Sequence, residues 1–201
     1  MLVFKISCNE YSIVMHNKNF KTVKHSRTTI TELMLPAYAN FGGKVHGGIL
    51  LSLMDKVAYV CAAMHAGTYC VTASIDSVDF LEPIEVGELV SLKASVNYVG
   101  NSSLIVGIRV ISQNVKTQIV KHTNTSYFTM VAMSDDHKPV RVPGLILETP
   151  EEIRRFIEAM RRKEYKKTYM KKTEIMTTPE EIDNAVLLLK NENCQLKENL
   201  L

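Results

Sequence analysis

Between Val45 and His65, apolar residues fall at Ile49, Leu50, Leu53, Met54, Val57, Ala58, Cys61 and Met64, a helical spacing sustained over about five turns. Gly67 then supplies a C-terminal stop. This is the only long helical pattern before residue 140. The other apolar runs read as strands. Thr28 to Leu35 is β-branched and apolar and stops at Pro36. Tyr69 to Phe80, Leu89 to Val99, Ser103 to Gln113 and Lys116 to Met133 are rich in Val, Ile, Thr, Ser and Tyr. They are parted by Pro83 to Glu88, Gly100-Asn101 and Asn114. Short connections favour antiparallel neighbours, so these runs are expected to form a meander. One strand, one long helix and four strands predict an α+β domain whose curved antiparallel sheet wraps the apolar helix.

The flanks differ from this centre. Residues 1–25 are polar and mixed, which predicts a mobile leader, with Met15 as an alternative start. The compact domain is expected over 26–145, closing after the turn-like Ser134 to Pro139 and Val142-Pro143. Residues 146–201 read as a helical extension. Thr-Pro-Glu-Glu-Ile occurs at Thr149 and again at Thr178, each time an N-cap Thr, a Pro at the first helical position and Glu at the third. After the second start, Ile182, Val186, Leu189, Asn193, Leu196 and Leu200 step by four and three, a short coiled-coil-like seam over 179–201.

Composition narrows the class only modestly. With 201 residues, 46% of them hydrophobic, the chain can bury a core. A net charge of +3, with acidic residues among the basic ones of the tail, gives no case for nucleic acid. Cys8, Cys61, Cys70 and Cys194 are widely spaced with no CxxC pair, which fits reduced thiols in a cytoplasmic protein and no metal site. No stretch approaches the ~20 apolar residues of a membrane span.

The candidate chemistry lies where the glycine-rich loop meets the helix. Asp55 sits two turns into the apolar helix with Leu51, Met54, Ala58 and Tyr59 at contact spacing, so partial burial and a raised pKa are expected. Such a carboxylate can act as general base or nucleophile. Gly47 and Gly48 open the helix, where free N–H groups can hold an oxyanion. Eight residues of helix, about 12 Å of rise, separate Gly47 from Asp55. One small reacting group cannot touch both unless the loop folds back or a second chain contributes. The residues alone leave structural and catalytic readings of Asp55 open, and the same holds for Asn40. His46 reads as a loop or packing histidine, and His122 and His137 as solvated.

Leu35 to Gly48 with Asp55 resembles the signature of hotdog-fold acyl-CoA thioesterases, the group of bacterial short-chain and brain-type cytosolic enzymes. Val71 to Ile84 with Gly87-Glu88, Val99 to Ser103, and Tyr127 to Met133 with Lys138 to Pro143 continue the match across 27–143. Asp79 and Asn101 depart from it, standing where Asn and a basic residue are common. The resemblance implies the hotdog fold and hydrolysis of acyl-CoA to free acid and CoA, with no cofactor beyond that substrate. It implies a homodimer joined sheet edge to edge, assembled into a trimer of dimers. The tail from about 149 onward lies outside the match; its helices are expected to add subunit contacts or bind a partner, with a merely solvated helix as the alternative. Asn40 of one subunit would face Asp55 of another. Asp55 would be the base or nucleophile, Asn40 would position water or thioester, and Gly47 would donate to the oxyanion. His46 and Gly48 would border the substrate, Gly100, Ser102 and Ser103 would line the CoA path, and Lys138 and Arg141 would meet phosphate. A non-catalytic acyl-CoA-binding hotdog regulator is the alternative, and a hotdog dehydratase or hydratase ranks below it for want of a His paired with a carboxylate at the helix start.

Overall fold

The computed structural model describes residues 19–172 and Cys194. In chain order the elements are β1 (Phe20–Thr22), α1 (Val23–Ser26), β2 (Thr28–Leu33), α2 (Gly47–Ala66), β3 (Cys70–Ile75), β4 (Glu88–Val99), β5 (Ser103–Asn114), β6 (Val120–Ala132), β7 (Gly144–Ile146) and α3 (Pro150–Lys172). The chain divides into a unit ending at Met160 and one beginning at Arg161.

The first unit is a five-stranded antiparallel sheet in the order β2-β4-β5-β6-β3 with α2 packed on one face. β4, β5 and β6 form the expected meander. β3 does not join it beside β4 but pairs with β6 at the far edge. A hairpin would require a tight turn, whereas Asp76 to Gly87 is an irregular crossing that leaves β3 only six residues long, well short of Phe80. Inward-facing Val90, Leu92, Ala94 and Val96 of β4, Leu104, Val106, Ile108 and Val110 of β5, and Phe128 and Met130 of β6 alternate with outward residues, as a pleat requires. Against them α2 buries Leu50, Leu53, Met54, Val57, Ala58, Cys61, Ala62 and His65. Each large apolar side chain so buried contributes roughly 1.5–3 kcal/mol. By length and composition α2 is apolar enough to cross a membrane, contrary to the sequence expectation. Its contacts account for that apolarity: it is the helix the sheet wraps.

Helix ends follow local chemistry. His46 is the N-cap of α2, its Nδ1 accepting the Gly48 N–H at 2.9 Å, and Gly67 closes the other end in the left-handed region at φ 76°. Lys21 Nζ donates to the free carbonyl of His65 at 2.8 Å. Lys21 belongs to β1, which pairs in parallel with β7, so part of the expected mobile leader is ordered. Val23 and Ser26 of α1 are buried, which anchors residues that look merely polar in sequence. Residues 1–18, the second Thr-Pro-Glu-Glu-Ile and the 179–201 seam lie outside the described residues.

The expected domain end at 145 also moves. Thr149 Oγ1 accepts the Glu152 N–H at 3.2 Å and Glu152 accepts from the Glu148 N–H at 2.7 Å, so the first marked helix start is real. Glu152 and Ala159 are buried, and Phe156 packs on Tyr98 with ring centroids 5.1 Å apart. The first turns of α3 are therefore part of the first unit.

Candidate active site

Asn40 builds the loop ahead of α2. Its Oδ1 accepts the N–H groups of Gly42 at 2.9 Å and Lys44 at 3.2 Å, and its own N–H donates to the Lys44 carbonyl at 2.7 Å. Only an oxygen can accept from two backbone amides, so the orientation of the side chain is fixed and Nδ2 is its donor end. Gly43 takes φ 76°, a turn conformation costly for residues with a Cβ. The Val45 N–H to Ile84 carbonyl bond at 2.9 Å and the His46 N–H to Tyr38 carbonyl bond at 2.8 Å pin the loop onto its neighbours. Tyr38 in turn donates to Glu32 at 2.8 Å, and that bond to a carboxylate raises the phenol above its ordinary pKa.

A cleft of about 440 Å³ opens between this loop and Phe80 to Ile84, lined by Asn40 and Gly47 together with apolar Val45, Leu50, Phe80 and Ile84. The Gly47 N–H has no acceptor among the described residues and lies in the first turn of α2, where the helix dipole favours negative charge. The Phe80 ring lies over Gly47, 3.1 Å from where a Cβ would stand. Two predicted site residues, Asn40 and Gly47, thus meet in one apolar cleft.

Asp55 is not among them. Two turns further along α2 it is exposed, where partial burial was expected, because its face of the helix looks past the edge of the sheet. There its Oδ1 accepts from Thr72 Oγ1 at 2.6 Å. Thr72 shares the helix-facing side of β3 with Cys70, and the bulge between Thr72 and Ser74 aims it. The sequence reading omitted Thr72 as a site residue, although a polar residue at a helix-facing strand position was a signal for it.

The remaining predicted residues scatter. Gly100 and Arg141 line a separate cleft of about 690 Å³ with Phe20, Val99, Asn101 and Phe156. Ser103 accepts the Gly100 N–H at 2.7 Å and Ser102 accepts the Ala132 N–H at 2.9 Å, both through backbone carbonyls that shape the β4–β5 hairpin. Lys138 ends the turn begun at Ser134 and is exposed. His46 is engaged as a helix cap, and Gly48 sits against its ring, 2.9 Å from where a Cβ would stand.

Residues 42–119 match the family model of the thioesterase superfamily. The chain is 46% identical over 143 residues to protein VdlD of Helicobacter pylori, covering 71% of this chain and 82% of the relative. It is 38% identical over 139 residues to an uncharacterized acyl-CoA thioester hydrolase, YkhA, of Bacillus subtilis, covering 69% and 81%. Among solved structures it superposes on an apo-hexameric acyl-CoA thioesterase with TM-score 0.74 and 39% identity over 76% of this chain and 97% of that one. An acyl-CoA hydrolase of Staphylococcus aureus in complex with butyryl-CoA and CoA gives TM-score 0.71 and 33% identity over 77% and 94%. Further structures of that hydrolase carry alanine in place of an asparagine, an aspartate 15 positions later, or a threonine 17 positions after that. Asn40, Asp55 and Thr72 have these same separations. By fold, sequence and motif order, this chain belongs to the hotdog-fold acyl-CoA thioesterases of the thioesterase superfamily.

Proposed function

We propose that the protein hydrolyses acyl-CoA to the free acid and CoA at a site completed between two copies of the chain. The observation that carries this reading is the hydrogen bond from Thr72 to Asp55, which fixes an otherwise exposed carboxylate two turns from the helix start. The matching separations in the Staphylococcus aureus variants support the same three residues.

In this reading the thioester carbonyl of one copy's substrate lies in the Asn40–Gly47 cleft, where the Gly47 N–H and Asn40 Nδ2 donate to its oxygen. Asp55 of a second copy removes a proton from water. The water oxygen bonds to the carbonyl carbon, the carbon–sulfur bond breaks, and the departing CoA thiolate takes the proton Asp55 holds. Thr72 is a positioning residue that orients Asp55. The cleft lined by Gly100 and Arg141 serves CoA, with Ser102, Ser103 and Lys138 nearby in sequence, and His46 and Gly48 shape the helix start.

Two surfaces support the shared site. Phe41 at the loop tip is fully exposed beside exposed Phe80 and Leu81, and Tyr59, Val60, Met64 and Tyr69 stand exposed on and next to α2. Apolar groups so concentrated mark interaction sites. Among the described strands β3 also stands last in the sheet, a position that another strand can extend. We infer an assembly of dimers, in line with the hexamer of the structural relative.

The test is the Asp55→Ala protein. Turnover of acyl-CoA should fall at least about 100-fold, the usual contribution of a positioned base, with circular dichroism and melting unchanged. Unchanged turnover would sink the assignment of Asp55, and acyl-CoA binding without release of CoA by the unaltered protein would sink hydrolysis itself.

A further inference from the structure

The second unit carries a feature that the hydrolase reading leaves unused. Its helical part, Arg161 to Lys172, holds seven Lys or Arg and one Glu, a net +6 against +3 for the whole chain. Everything outside those twelve residues therefore sums to −3, so this helical segment is what makes the chain basic overall. Arg161, Lys163 and Lys167 are exposed. Tyr165 and Tyr169, one turn apart, are 73% and 57% exposed and stack with ring centroids 6.4 Å apart at 19°. Helical spacing places Arg161 and Arg162 on the flanks of this tyrosine pair.

We propose that Arg161–Lys172 docks on an anionic lipid surface. Clusters of four to eight basic residues on a helix are attracted to negatively charged bilayers, and tyrosine is favoured at the depth of the headgroups, with its ring among chains and its hydroxyl in water. The segment is polar overall, so charge complementarity holds it rather than insertion of an apolar face. Among the described residues the second unit presents a single helix and no groove to enclose a single-stranded nucleic acid, which disfavours that partner.

The test is co-sedimentation of the full chain with phosphatidylcholine vesicles, with and without phosphatidylglycerol, in the absence of substrate. Binding is expected only to the phosphatidylglycerol vesicles and should disappear at high salt. Each neutralised cation should weaken partitioning about fivefold, so Arg161→Gln with Lys167→Gln should weaken it roughly 25-fold while leaving solution hydrolysis unchanged. Tyr165→Ser with Tyr169→Ser should weaken it several-fold. Absence of binding, equal binding by the charge variant, or tighter binding to single-stranded RNA would overturn the proposal. Binding that emerges only after removal of residues 173–201, which carry a net −4, would also overturn it, because the partner would then be the chain's own acidic tail. Since the vesicle assay is run without substrate, vesicle binding and the hydrolase reading fail separately.

Discussion

Thr72 and His65 show how single polar groups are held for different ends. Thr72 donates to Asp55 at 2.6 Å, so Thr72→Val should leave the carboxylate present but misdirected. Hydrolysis rate should fall about 10- to 100-fold with KM little changed, and Thr72→Ser, which keeps the hydroxyl, should recover most of it. A purely structural Thr72 would show the opposite pattern, with lost stability and no rescue specific to the hydroxyl. His65 is wholly buried at the end of α2, its Nε2–H donating to the Pro143 carbonyl at 3.1 Å while Nδ1 has no partner among the described residues. Burial holds its pKa below the ordinary 6.5; the bond to Pro143 opposes this, and nearby Lys21 and His25 reinforce it. The unfolded chain therefore binds this proton at higher pH than the folded one. Stability should be full above about 6.5, fall as pH drops through that value, and level off below His65's own pKa. Thermal melts across that range should show this loss in the native chain and lack it in His65→Leu. At this scale the sequence was informative where a residue type is odd for its pattern. Asp55 in an apolar helix was conspicuous; Thr72 was marked only by its polarity at a helix-facing strand position, and its role depends on a neighbour 17 residues away.

Among elements, α2 and the β4–β6 meander were legible because their patterns run for many residues and their connections are short. The position of β3 was not. Its pairing with β6 crosses more than forty residues of chain, and no local pattern records a long-range edge. β1 and α1 were hidden by brevity, with three and four residues whose order comes from β7 and from burial of Val23 and Ser26. The sheet contains one close approach with a measurable consequence. Gly107 stands mid-β5 opposite Ser95, and an added Cβ would lie 2.2 Å from Nδ2 of Asn97, itself buried and bonded to Ser95 Oγ at 3.0 Å. Alanine normally improves on glycine in a strand, yet Gly107→Ala should destabilise by about 1–3 kcal/mol in denaturant titration through this overlap. Adding Asn97→Ala should return part of that loss, and strictly additive effects would show that the two positions are not in contact.

At the scale of the whole molecule, the proposed site falls into two parts on one chain. Asn40 and Gly47 share a cleft, while Asp55 and Thr72 stand together on an exposed face about 12 Å along the helix. That separation was readable from sequence as arithmetic on helix rise, and the structure sharpens it by placing Asp55 outside the cleft. Exposed Phe41, Phe80, Tyr59 and Met64 provide the surfaces through which a second copy can close the gap. The most direct measurement is complementation between two inactive proteins, Asn40→Ala and Asp55→Ala, refolded together. If each site draws Asn40 from one chain and Asp55 from another, every mixed dimer regains one intact site. Random pairing should then restore about one quarter of native acyl-CoA hydrolysis. A mixture no more active than its separate components would contradict the shared site.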